Sequence, residues 1–408
     1  MTRSRRKKHN IILVALLGLI AFTNALGSVI VFPLGPFMAA DLGIPVHRVA
    51  LTSVCFNGAA GLGGIVGAFF LGTVDRRRSL MLALLAIAVA TGVIGVFPHA
   101  SFTTVLTARV AAGFCSGPLL ALVIATASDL TSDAARGRAV SAIIGAYGFA
   151  LLLGAPISLT VQTLSGSWQS AFGLLACLYV VLSLPVLFGV FGSTQAGLAG
   201  VRLTVDNVFN AVAKPGGKTG LMLTAGASYA TFLISPHISA YALTNLSFST
   251  AELGYIYLVG GVLSFVATGG TGWVIDRIGT VAASLAAGLV LTALLSYAFF
   301  LHQPMPAMAF VLGMLLAAQL ARSTVAQTTA SRIAEPEDRI AYQCLVSAIT
   351  SIASAAGAAS SAALLRERLD GQVTGMPVLA LISILLCWLS FGLVMRMERI
   401  LTTNELKK

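Results

Sequence analysis

Gly272-Trp-Val-Ile-Asp276-Arg277-Ile-Gly279-Thr280 decides the fold. It is a short charged turn between two long apolar runs, in a chain with few charges anywhere. Two glycines and an Asp-Arg pair suit a tight helical hairpin at a membrane face, because glycine tolerates the backbone that closes such a turn. A looser relative, Leu71-Gly-Thr-Val-Asp75-Arg76-Arg77-Arg78-Ser79, lies roughly two hundred residues earlier. One turn used twice points to a chain of two similar halves.

Composition sets the solvent. Of 408 residues, 57% are hydrophobic and only 10% charged, with a mean hydropathy of +0.92. A soluble domain carries about 25% charged residues, so most of this surface must face lipid. Apolar runs of roughly 20 residues recur, each enough to cross a ~30 Å hydrocarbon core as a helix. Barrel strands would instead alternate in ~10-residue pieces. The expectation is an all-α polytopic membrane protein with twelve transmembrane helices in two six-helix bundles.

The first six spans cover about 11–39, 50–74, 80–98, 103–128, 139–163 and 169–192. The second six cover about 220–244, 251–275, 281–301, 306–330, 340–365 and 374–396. The domains expected are an N-terminal bundle (1–192), a cytoplasmic linker (193–219) and a C-terminal bundle (220–408). In the linker, Val201, Val205, Val208, Phe209 and Val212 recur at helical spacing, the pattern of a helix lying on a membrane surface. The basic cluster Arg3, Arg5, Arg6, Lys7 and Lys8 precedes a run too long for a leader, so the run is expected to stay as span 1.

The net charge of +11 reports topology rather than nucleic acid. One side collects the N-terminus, Arg76–Arg78, Arg136, Arg138, Arg202, Lys214, Lys218, Arg277, Arg332, Arg339 and the C-terminal tail; the other collects only Arg48, Arg366 and Arg368. Both termini and the linker are therefore expected in the cytoplasm, in a cell's inner (plasma) membrane. The five cysteines fall inside apolar runs without metal-type spacing, so no metal is expected. Asp133-Ala-Ala-Arg136 and Glu337-Asp-Arg339 extend the internal repeat at an offset of about 204.

Polar residues inside spans are the site candidates. Arg109 on span 4 and Arg322 on span 10 each carry a charge that costs at least ~2.5–3.5 kcal/mol at mid-membrane. Arg109 could equally bond carbonyls of a neighbouring helix. Gln319 precedes Arg322 by one turn, and span 7 adds His237 after a proline and Tyr241 a turn later. Asn24 and Asn57 are the first-half counterparts. The fourteen acids all fall at loops or span ends. Buried arginines without buried acids point to an anion, or to an anionic group on a larger substrate.

With these residues in place, the chain resembles the major facilitator superfamily over nearly its whole length. Gly272-x-x-x-Asp276-Arg277-x-Gly279 is similar to that family's cytoplasmic turn between spans 8 and 9, which latches neighbouring helices in one state. The first-half copy departs from it in either register: matching Asp75 to Asp276 puts Leu71 and Arg78 where glycines belong, and keeping the repeat offset puts Gly72 opposite Asp276 and Asp75 opposite Gly279. Asp75 and Arg76 keep only part of the pattern, so gating is expected to depend more on Asp276. Arg109-x-x-x-Gly113 resembles a motif whose arginine is linked to proton coupling, with Ala112 where the family has Gln. Gly148 and Gly154-Ala-Pro156 resemble the helix 5 motif of drug and metabolite exporters, though Gln169 stands where an arginine is common.

The resemblance implies the major facilitator fold and alternating access, with spans 1, 4, 7 and 10 lining the cavity. It favours the bacterial exporter branch, either drug:proton antiporters or sugar-efflux-like proteins. The expected function is secondary, proton-coupled efflux of a small amphipathic or anionic organic compound by a functional monomer in a lipid bilayer. No cofactor is expected, and the proton is the candidate coupling ion. An importer or facilitator of an organic anion or sugar is the alternative, and a non-transporting receptor the alternative of another class. An enzyme is not expected, since the acids, histidines and cysteines do not cluster.

Overall fold

The computed structural model describes residues 3–70, 75–97, 100–131, 133–188, 212–301, 307–332 and 339–405. Most of the linker, including the amphipathic pattern from Val201 to Phe209, lies outside them, as do Leu71 and Gly72. Nearly everything described is helix. Among the described residues, nine helices are long and apolar enough to cross a membrane. One of these, Thr250–Phe300, holds spans 8 and 9. Span 5 is represented by Asp133–Ser165 and span 7 by a broken helix, Gly217–Ile234 followed by Ile238–Thr244. Counted this way, the described residues supply the twelve spans of the expected fold.

Prolines explain where the helices break. Span 1 is two pieces, Arg3–Val29 and Val31–Leu42. Pro33 has no N–H to give the Val29 carbonyl, so the i→i−4 ladder lapses there. In span 7, Pro236 sits in a single 3₁₀ turn, Ser235–His237, between the helical pieces. Spans 8 and 9 join at Gly279, whose φ of 85° and ψ of 165° lie outside the helical region. Only glycine adopts that backbone without strain.

Two compact units divide the chain: Met1–Ile30 with Ala59–Arg202, and Val31–Gly58 with Leu203–Lys408. The division falls inside spans 1 and 2, in span 1 at the break that Pro33 creates. In the first unit, span 3 packs on spans 4 and 6 and span 1 on span 5. Leu80, Leu84 and Ile87 of span 3 and Phe172 of span 6 are fully buried, whereas Leu82 and Val89 face outward, as a lipid-exposed helix requires. Spans 2 and 4 touch backbone to backbone, since a Cβ on Gly117 would stand 2.1 Å from the Ala60 carbonyl oxygen. In the second unit, Leu223, Ala227, Val325, Ala326 and Val394 form a core between spans 7, 10 and 12.

Candidate functional site

Each buried arginine is held by backbone carbonyls. Arg109 is buried in span 4 and donates through Nη1 to the Gly27 carbonyl at 2.7 Å. Gly27 lies in the last turn of the first piece of span 1, where carbonyls lack intrahelical partners. One turn back, Asn24 accepts from Ser116 Oγ at 2.8 Å and donates to the Ser116 carbonyl at 3.4 Å. Asn24, Arg109 and Ser116 thus tie spans 1 and 4 together. Ser116, adjacent to Gly117, was not a sequence candidate, because nothing distinguishes one serine in a small-residue run.

Arg322 differs. It is only 4% exposed, and its Nη2 donates to the Ala227 carbonyl at 2.9 Å and Thr231 Oγ1 at 3.0 Å, both on span 7. Its Nε and Nη1 have no hydrogen-bond partner. Cys387 of span 12 stands beside the guanidinium and shares a side-chain hydrogen bond with it. Gln319, one turn earlier on the same face of span 10, accepts from Ser235 Oγ at 3.1 Å through Oε1. That bond fixes the amide orientation and leaves Nε2 buried without an acceptor. Three N–H-bearing atoms therefore stand unpaired on neighbouring side chains of one helix face.

The other span 7 candidates bond elsewhere. His237 is fully buried, with Nε2 2.8 Å from Ser361 Oγ on span 11. The Ser361 hydroxyl is donated to the Ala358 carbonyl at 2.9 Å, so the imidazole must be the donor. Tyr241 donates to the Ala298 carbonyl at 3.4 Å on span 9 and packs edge-on to Phe299. Asn57 turns back on its own helix, donating to the Ser53 carbonyl at 3.0 Å. Within the second unit, Asn57, His237 and Tyr241 thus make their hydrogen bonds away from Arg322 and Gln319. Arg322 and Gln319 stay together, joined by Ser235 and Thr231, which the sequence reading missed.

At the turns, the contacts are carried by neighbours of the motif residues. Asp276 and Gly272 make no close approach to another helix: Asp276 is exposed, and a Cβ on Gly272 would meet nothing within 4 Å. Arg277 lies over the Trp273 ring, 4.8 Å from its centroid. The hold on the turn comes through Thr280, whose hydroxyl donates to Glu398 Oε1 of span 12, the same oxygen that pairs with Arg332 at the end of span 10. In the first half, Asp75 caps span 3 by accepting from the Arg78 N–H at 3.3 Å. Arg77 donates through Nε to the Val186 carbonyl at 2.9 Å and through Nη2 to Leu187, closing the C-terminal end of span 6. The Arg76 side chain lies outside the described atoms, as do the surroundings of Gly148. Gly154 is packed so closely that a Cβ would stand 2.6 Å from Leu26 Cδ1 of span 1, and Pro156 lies within the span 5 helix.

A multi-pass helical membrane protein, with cations buried in both halves and its carboxylates kept to the ends of the spans, is the class this architecture defines. The sequence profile of the Major Facilitator Superfamily matches residues 17–216. The chain is 30% identical over 169 residues to a chloramphenicol resistance protein of Streptomyces lividans, covering 41% of each protein. It is 25% identical over 248 residues to the purine ribonucleoside efflux pump NepI of Salmonella typhimurium, covering 59% of each. A third relative, the MFS-type transporter clz9 of Cochliobolus lunatus, is 29% identical over 170 residues, 41% of this chain and 18% of that protein. The matched segments thus span well under two thirds of these relatives.

Across the whole chain the likeness is one of fold. The human organic anion transporter MFSD10 superposes with a TM-score of 0.66 at 18% identity, over 97% of this chain and all of that one. A bacterial homologue of the lysosomal transporter Spinster, solved inward-facing and unoccupied, gives 0.66 at 15% identity over 96% of this chain and 95% of that one. The family profile thus covers just under half of the chain, and the solved structures share its fold over nearly all of it.

Proposed function

We propose that this protein is a secondary transporter that exports a small amphipathic or anionic organic compound by alternating access in exchange for protons. Both termini would lie in the cytoplasm of a cell that holds the protein in its inner membrane, as the placement of Lys and Arg favours. One observation carries the substrate reading. Arg322 Nε and Nη1, with Gln319 Nε2, are buried donors that lack acceptors, and the sequence places no acid inside a span to supply one. Buried donors are normally satisfied. An anionic group such as a carboxylate, sulfonate or phosphonate offers the missing acceptors, and a guanidinium binds it through two parallel N–H bonds.

The relatives support the direction. Two are named for efflux or drug resistance, and a structural neighbour is titled an organic anion transporter. The test is a thermal-shift screen of organic carboxylates, sulfonates and phosphonates, followed by counterflow of the hits in proteoliposomes. Hits should stabilise the wild type and not Arg322→Met. A pH jump across the vesicle should drive accumulation if protons are exchanged. Equilibration without accumulation would leave a facilitator, and stabilisation by uncharged compounds alone would reject the anion reading.

A further inference from the structure

The second compact unit includes a piece of the first half, Val31–Gly58. This segment, the outer part of span 1 with the start of span 2, makes polar bonds to the ends of spans 7 and 11 in the same unit. Pro36 has no N–H, so the Phe32 carbonyl one turn earlier lacks its helical donor. Ser239 of span 7 supplies one at 2.6 Å and in turn lies 2.7 Å from the Tyr257 hydroxyl of span 8. The Phe32 ring meets Phe232 edge-on, with centroids 5.6 Å apart.

A further hold comes from the hairpin between spans 11 and 12, formed by Arg366–Glu367 and Val373–Thr374. Glu367 Oε2 accepts from the Val46 N–H at 2.9 Å, at the start of the 3₁₀ turn Val46–Val49 that leads into span 2. Asn245, at the end of span 7, braces the hairpin from its other edge. Its Nδ2 donates to the Val373 carbonyl and its Oδ1 accepts from the Val373 N–H, both at 2.9 Å. An asparagine side chain thus completes the pairing a third strand would give. A two-stranded hairpin this short has little stability of its own, so its geometry depends on that brace.

We propose that this hairpin is a latch that holds the outer parts of spans 1 and 2 on the second half, with the Glu367 carboxylate as its releasable catch and Asn245 as the positioning residue behind it. The catch is a single charge-assisted bond near the membrane surface, where water can replace it when it opens. Its role in a transport cycle rests on the function proposed above; the latch itself does not.

Hydrogen–deuterium exchange of the full chain in lipid nanodiscs needs no substrate, so the two readings fail separately. In Glu367→Ala, peptides within residues 31–58 should exchange roughly tenfold faster, the loss expected for one charge-assisted bond. Peptides from span 3, in the other unit, should keep their wild-type rates. Glu367→Gln, which retains an acceptor oxygen without the charge, should restore most of the protection. Asn245→Ala should accelerate the same peptides although Glu367 is intact, and this variant also covers the case in which Glu367→Ala does not fold. Unchanged exchange in 31–58 would overturn the latch, as would equal acceleration in span 3 or a Gln variant no better protected than the Ala variant.

Discussion

Replacing Arg322 by methionine separates a structural arginine from a ligand-binding one. Arg322 Nη2 makes two bonds, to the Ala227 carbonyl and to Thr231 Oγ1. Bonds of a charged donor contribute about 1.5–3 kcal/mol each, so together ~3–6 kcal/mol. Against them stands the cost of a cation at mid-membrane, ~2.5–3.5 kcal/mol. Nε and Nη1, buried without acceptors, add about 1–3 kcal/mol each. The sum runs from about 1.5 kcal/mol in favour of the arginine to about 6.5 against it, centred roughly 2.5 against. Methionine has similar reach and no polar atom. Removing the guanidinium orphans nothing on span 7, because the Thr231 hydroxyl already donates to the Ala227 carbonyl at 2.9 Å. Arg322→Met should therefore melt no lower than the wild type, and up to a few degrees higher. A bound anion would lose about 3 kcal/mol, close to a hundredfold in affinity. Thermal melting and counterflow on the same preparation read both numbers. A melting point lowered by ten degrees, or transport left intact, would refute the reasoning.

Other positions give sharper yes-or-no outcomes. Gly117→Val drives a side chain into the Ala60 carbonyl and should cost at least about 1–3 kcal/mol, seen as lost expression or melting temperature. Gly18→Ala, whose Cβ meets nothing within 4 Å in mid-helix, should gain up to about 1 kcal/mol. Glu398→Ala removes the acceptor shared by Thr280 and Arg332 and should alter transport rate more than Asp276→Asn does; the reverse ranking would return the gating role to Asp276. His237→Gln keeps a donor for Ser361 and should fold, whereas His237→Leu leaves that hydroxyl without its donor and should cost roughly 1–3 kcal/mol by thermal melting.

Hydropathy made the spans legible because each must satisfy its own backbone in lipid, and a run of the right length has few alternatives. Gly279 was legible for the same reason: a break between two membrane helices needs a residue that tolerates positive φ. The Gln319–Arg322 pair was readable from i,i+3 spacing. The contacts of His237 and Tyr241 were not, since three residues of 3₁₀ helix advance the phase by roughly 60° more than three α-helical residues would. That shift takes the two side chains to spans 11 and 9. Glu398 could not be read as part of the turn, because its partner Thr280 is 118 positions away and nothing local marks the pair.

The carboxylates show how the chain handles polar contacts it must be able to break. Asp75, Glu252 and Asp370 bond within their own turns. Glu367 and Glu398 instead reach across elements, one at each end of the second unit: Glu367 to Val46, and Glu398 to Thr280 and Arg332. Inside the membrane such a bond would cost several kcal/mol to open, because nothing replaces it. At the ends water does, and the exposed Arg332–Glu398 ion pair contributes only about 0.2–1 kcal/mol. On the transport function proposed above, a hold at each face has to open during turnover, and these water-reached carboxylate contacts are the ones that can. Arg109 and Arg322, by contrast, hold their helices through buried bonds to Gly27 and to Ala227 and Thr231.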